Sequence, residues 1–229
     1  MQRITSVELL DEGRGSKRDV ETSLDDLWRI NRWLGGVSGS LQLIDRFFKR
    51  TGLPSAHILD AGAGDGRMAA YLVHKVRKRH PRSRIIVLDR RLAHLQHRRP
   101  AVGAPRAVVA DATNLPFRVD SFDLVICSLF LHHFSGAAAI ELLRSLLAVA
   151  AQAVLVNDLE RKWASYWVIR HAPWFTRSPI TRADGPASVR QAYTRGELSV
   201  LAAASGAAGF DIISLPCFRL GLTLWKRLS

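Results

Sequence analysis

A carboxylate followed by three alternating glycines, Asp60 and then Gly62, Gly64 and Gly66 in "LDAGAGDGRM", is the pattern in this chain most able to bind a ligand. Glycine has no Cβ and tolerates positive φ, so such a turn lets a ligand lie against backbone N–H groups. A dinucleotide fingerprint would need its third glycine where Arg67 stands. A carboxylate two residues before the first glycine also repels a pyrophosphate. The spacing therefore favours a cationic ligand without phosphate. Two further carboxylates follow apolar runs, Asp89 after "RIIVL" and Asp111 in "VVADAT". Asp89 can accept hydrogen bonds from a pair of ribose hydroxyls, and Asp111 can face an adenine amino edge.

A second set of residues suits acid–base work. His132 and His133 follow the apolar run "DLVICSLFL", and Asn157 and Asp158 follow "AVLV". Each pair is placed at the end of an expected strand, with His133 the first choice for a base. The segment 158–193 is basic and aromatic, and its Trp163, Tyr166, Trp167 and Arg170 recur at helical spacing. Trp163 and Trp167 are expected to line a lid over an apolar acceptor, and Arg190 and Tyr193 to reach a phenolate or carboxylate on it.

These residues need a scaffold that brings strand ends together. Short apolar runs expected as strands at 57–60, 84–88, 106–110, 122–127 and 153–156 alternate with helical patterns starting at Arg67, Arg91 and Gly136, the last behind a Ser135 cap. Five such steps predict a parallel, doubly wound sheet. Thr194-Arg195-Gly196-Glu197 has capping-box spacing and opens a further helix, stopped near Gly206, before a closing strand pair at 210–215 and 218–225. In the N-terminal 52 residues, Leu24, Leu27, Trp28, Ile30 and Leu34 form an apolar stripe. The reading is one domain, 1–229: a helical cap (1–52), a ligand-binding core (53–157), a lid insertion (158–193), and a last helix with its strand pair (194–229).

With 229 residues, 48% of them hydrophobic, the chain can bury one good core. Two cysteines, Cys127 and Cys217, supply neither a disulfide framework nor a metal cluster, so no metal is expected. The polar N-terminal stretch and the absence of a long apolar run predict a cytoplasmic protein. A net charge of +13 suits nucleic acid, an anionic membrane surface or an acidic substrate. However, "KVRKRH" and "HRR" fall at helix ends away from the glycine turn, as solvated faces.

Asp60 to Gly66, Asp89, Asp111 and "LPFRVDSFDLVICSLFLHHF" together resemble the successive motifs of class I S-adenosylmethionine-dependent methyltransferases, particularly the group related to quinone C-methyltransferases. "NDLE" and "TRADGPASVRQAYT" are similar to stretches of bacterial secondary-metabolite methyltransferases. The resemblance implies a Rossmann-like α/β fold with a mostly parallel seven-stranded sheet and a reversed last strand. It implies S-adenosylmethionine as cofactor, with Asp60 near the methionine ammonium and Gly62, Ala63, Gly64 and Gly66 beneath the ligand. Asp89 would hold the ribose, Arg90 and Ala112 would border the adenine, Asp111 would face its amino edge, and Ser128 would flank the methionine. Asn31 or Arg32 would meet the methionine carboxylate. Enzymes that methylate nucleobase amines carry an Asn/Asp-Pro-Pro-aromatic motif where this chain has "CSLF". Oxygen or carbon of a lipophilic, phenolic small molecule is therefore the expected acceptor, with Asn157 among its contacts and a weak membrane-surface contact allowed for. An RNA-modifying enzyme and a cofactor-binding protein without turnover are the alternatives.

Overall fold

The computed structural model describes residues 1–13, 15–97, 105–171 and 176–227. At its centre lie β1 (His57–Ala61), β2 (Arg84–Asp89), β3 (Arg106–Val109), β4 (Phe122–Ser128), β5 (Ala150–Leu159), β6 (Gly209–Leu215) and β7 (Arg219–Trp225). They form one sheet in the order β3-β2-β1-β4-β5-β7-β6. The first five strands pair in parallel, and β7 runs antiparallel between β5 and β6. This is the Rossmann-like α/β architecture, with its chain reversal between β1 and β4, where such sheets open a crevice at the strands' carboxyl ends.

Successive strand residues point to opposite faces, so parallel strands buried on both sides are apolar throughout. Leu59, Val125 and Val154 belong to one buried cluster with helices α6 (Ala137–Val149) and α9 (Arg195–Ala204). Their neighbours Ile58, Leu124 and Leu155 belong to the other, with α3 (Gly36–Thr51) and α4 (Arg67–Val76). The remaining described elements surround the carboxyl-end crevice or the sheet edge: α1 (Leu9–Glu12), α2 (Lys17–Trp33), α5 (Leu92–His97), a single 3-10 turn at Leu131–His133, α7 (Trp163–His171) and α8 (Pro179–Gln191).

The local chemistry of several element ends matches expectation. Thr194 Oγ1 accepts from Glu197 N at 3.3 Å and Glu197 Oε2 accepts from Thr194 N at 2.8 Å, the two halves of a capping box. Ser135 does not cap α6. The cap is Gly136 at φ 53°, and Ser135 contributes only its carbonyl, to Ala138 N. The strand expected at 153–156 extends over ten residues, because β4 pairs with it from Ala150 and β7 from Ala153 to Leu159. Arg98 and Arg99 of the basic "HRR" lie outside the described residues.

The N-terminal segment and α8 are fastened to each other across the crevice. Asp184 in α8 accepts from Leu9 N at 3.0 Å and Leu10 N at 3.1 Å, satisfying the free donors at the start of α1. Asp26 in α2 accepts from Arg177 N at 2.7 Å and Ser178 N at 2.8 Å. Between them the Ser23 and Thr181 hydroxyls meet at 2.9 Å.

Candidate functional site

Strand register brings the acidic motifs together. Asp60 pairs beside Val87, Ala61 beside Leu88 and Cys127, and Asp89 beside Val109, so the carboxyl ends of β1, β2 and β4 open on one cavity of about 720 Å³. That volume falls within the range of small-molecule sites, roughly 300–1,000 Å³. After β1 the chain turns sharply, with Gly62, Gly64 and Gly66 all at positive φ. The Gly62 and Ala63 amides both donate to the Leu88 carbonyl, at 2.9 and 3.0 Å. A Cβ at Gly62 would lie 2.5 Å from the Phe130 ring, so this position accepts no side chain.

Asp60 lies at the cavity wall and is 4% exposed. Burial, with a smaller effect from the Asp89 charge, raises its carboxyl to about 7, and no described residue donates a hydrogen bond to it. It is a carboxylate lacking a cation. Asp89 is the opposite case: its Oδ2 accepts from Gly64 N at 2.9 Å and its Oδ1 from Arg91 N at 2.8 Å, which fixes the turn and holds the side chain at the cavity edge. Asp111 accepts from the Thr113 amide at 2.8 Å and its hydroxyl at 2.7 Å, and these bonds lower its pKa.

Ala63, Arg90, Ala112 and Ser128 line the same cavity. Gly66 lies behind it, as the N-cap of α4 against Val87. Of the two N-terminal candidates, Asn31 lines the cavity. Arg32, one residue on and a third of a helical turn away, stacks outside on Trp33 and Tyr71.

The histidines divide into two environments. His132 is buried between Asp158, whose Oδ1 is 2.7 Å from Nδ1, and Glu8, whose Oε1 is 3.5 Å from Nε2. Burial alone would depress its pKa, but the two carboxylates raise it to about 10. At neutral pH it is an imidazolium and cannot accept a proton. Asp158 is correspondingly held below its usual range by His132 despite burial. Its position is therefore that of the counter-ion of His132, away from the cavity lining. His133 is more open, lines the cavity, and has Nδ1 2.8 Å from Asp11 Oδ2. That bond and the histidine charges lower Asp11 against the effect of burial.

Five expected acceptor contacts are placed elsewhere. The Asn157 amide donates to the Gly36 carbonyl at 2.8 Å and the Ser40 hydroxyl at 2.9 Å, anchoring α3 to β5. The Tyr193 hydroxyl donates to the Phe134 carbonyl at 2.6 Å, and its ring carries the Arg3 guanidinium. Arg190 is exposed and touches the N-terminal segment only through its carbonyl, which accepts from Ile4 N. Trp163 and Trp167 are on the outer face of α7, while Val168 and Ile169 border the cavity. The helical spacing was right and its direction was not, because half the residues of any helix can satisfy such a pattern.

Glu8, Asp11, Leu10 and Asp184 were missed as site residues, although all four line the cavity. The only sequence signal for the first three was an acidic, amphipathic "VELLDE" in a segment otherwise read as a cap. The Leu24, Leu27, Trp28, Ile30 and Leu34 stripe faces the cavity too, which explains why most of it is only half buried.

Residues 58–152 match the family model described as a methyltransferase domain. No curated protein matches the chain. Among solved structures it is similar to the plantazolicin methyltransferase BpumL in complex with a monoazolic desmethylPZN analog and SAH (TM-score 0.67, 16% identity, 96% of this chain and 100% of that one). It is similar to a SAM-dependent methyltransferase from Aquifex aeolicus (TM-score 0.62, 16% identity, 93% and 100%). A candidate O-methyltransferase from Nostoc punctiforme aligns with TM-score 0.57 and 21% identity over 82% of this chain, which spans 56% of that protein's length.

Proposed function

We propose that this chain is a class I S-adenosylmethionine-dependent methyltransferase, which its methyltransferase-domain match over residues 58–152 supports, and that it transfers the methyl group to an oxygen or carbon of a lipophilic, phenolic small molecule. The cofactor supplies an electrophilic methyl on a sulfonium. The cavity's polar lining suits it: the unpartnered Asp60 carboxylate would take the ammonium, the Gly62–Gly64 backbone would carry the ligand, and Asp89 would hold the ribose. Arg90, Asp111 and Ala112 would border the adenine, and Ser128 and Asn31 the methionine end.

The acceptor reading rests on one observation. The same cavity is also walled by Leu10, Leu27, Phe134 and Ile169, and His133 with its Asp11 partner lines it too. An apolar wall selects a compound with little polar surface. With its Nδ1 side turned to Asp11, His133 presents Nε2 as the group to take the proton of a phenol or enol, while the wall excludes water from the nucleophile. The insertion 158–193 contributes to this wall through α7 and α8.

Methyl transfer from labelled S-adenosylmethionine to a panel of phenols and hydroquinones tests the reading. Turnover is expected on an apolar member of the panel, with kcat about 10²–10⁴-fold lower in His133→Gln and cofactor affinity unchanged. Methylation of bulk RNA with none of the panel, or cofactor binding with no transfer to either, would refute it.

A further inference from the structure

The outer face of α7 is apolar and aromatic where a surface helix is ordinarily polar. Trp163 is 60% exposed and Trp167 56%. Trp167 stacks on His171 with ring centroids 4.7 Å apart, and Trp163 meets Tyr166 edge-on. The opposite face is turned inward: the buried Ser165 hydroxyl donates to the Glu160 carbonyl, and Ile169 lines the cavity. At 3.6 residues per turn, Trp163, Trp167, Arg170 and His171 occupy an arc of about 100° away from that inner face.

Exposed basic residues accompany this helix in the sequence: Arg170, Arg177, Arg182 and Arg190, while Lys162 is paired with Glu160 at 2.7 Å. Between Lys162 and Arg195 the only carboxylate in the sequence is Asp184, and it is buried against the amides of Leu9 and Leu10.

We propose that α7, with the basic residues leading into and along α8, docks on an anionic lipid bilayer. Tryptophan rings settle at the boundary between headgroups and acyl chains, and neighbouring basic residues are drawn to anionic headgroups. No described helix is long and apolar enough to cross a membrane, so the contact is peripheral. The rings lie on the outside of one helix rather than along a basic groove, which favours a bilayer over a nucleic-acid strand. Val168 and Ile169 border the cavity from this same helix, so the docked face and the apolar wall of the cavity are two sides of one element. A compound dissolved in the bilayer would meet the protein beside its own site.

Co-sedimentation with phosphatidylglycerol/phosphatidylcholine vesicles, against pure phosphatidylcholine vesicles, reads this without reference to methyl transfer. The protein should pellet with the anionic vesicles at low salt and be released as salt is added. Trp163→Ala/Trp167→Ala should weaken binding by about tenfold or more, and Arg170→Glu by roughly fivefold or more. Both variants should melt at the parent temperature, since the altered side chains are exposed. A parent protein that stays in the supernatant, or a double variant that pellets as well as the parent, overturns the proposal. So does a poly(U) strand that is bound through the same tryptophans while anionic vesicles are not.

Discussion

Asp60 sets stability against binding. An ionised carboxylate held at a buried wall with no donor is unfavourable, and its rise from an ordinary 3.8 to about 7 measures this. Between those two values the folded chain keeps a proton that the unfolded chain releases. The native state is therefore favoured on the acid side, and that advantage is lost as pH climbs to about 7. At pH 8 the ionised form costs at most about 4 kcal/mol, taking about 1.4 kcal/mol for each pK step. Asp60→Asn is expected to raise the denaturation midpoint of the ligand-free protein at pH 8 while abolishing S-adenosylmethionine binding. For the parent, affinity for this cation should increase from pH 6 to about 7.5 and then level off. Calorimetry across that range decides it, since affinity independent of pH would show that Asp60 does not face the ligand's charge.

At the scale of elements, His132 joins three pieces of chain distant in sequence: the N-terminal segment through Glu8, the turn after β4, and β5 through Asp158. Removing the imidazolium leaves two buried carboxylates unpaired, so His132→Ala is expected to lose about 3–5 kcal/mol of stability in urea denaturation at pH 7. The sign with pH follows from a folded pKa raised from 6.5 to about 10. The stabilisation is complete below about pH 6.5 and fades as pH rises through about 10, whereas His132→Ala should lack this alkaline decline. A variant as stable as the parent would mean that Glu8 and Asp158 find other partners. The same element analysis separates the two adjacent histidines. His132 is buried as an ion and serves the fold, while His133 is among the more open groups lining the cavity.

For the molecule as a whole, a cavity built from the strand ends, α2, the N-terminal segment and α8 couples ligand binding to global stability. S-adenosylhomocysteine at a hundred times its dissociation constant should add about 2.7 kcal/mol. For a domain of this size that is a melting-temperature rise of roughly 5–11 °C. NAD should leave the transition in place, because Asp60 stands where its pyrophosphate would pass. An equal rise with NAD would contradict the cationic-ligand reading. The basic surface is distributed to suit this arrangement: the site holds most of its charge as carboxylates, while the exposed arginines and lysines lie on outer faces such as that of α8.

The strand ends and the glycine turn were legible from the sequence alone, as were the cavity-lining carboxylates Asp60, Asp89 and Asp111 and the capping box at Thr194. Each of these depends on residues within a few positions of one another: a short apolar run, a positive-φ turn, or a side chain bonding its own helix start. The parallel, doubly wound core followed from the five strand–helix steps, while the seven-stranded sheet with its reversed last strand was implied by the family resemblance. Tertiary structure alone decided which way each helix turned. A rotation of about 100° separates cavity-facing Asn31 from Arg32 outside it, and one of about 160° separates inward Ile169 from outward Trp167. It also decided which acid met which histidine, because Glu8 and Asp11 reach His132 and His133 across more than 120 residues of chain. Local periodicity carries no information about such pairs, which exist only once α8 and the N-terminal segment have closed over the strand ends.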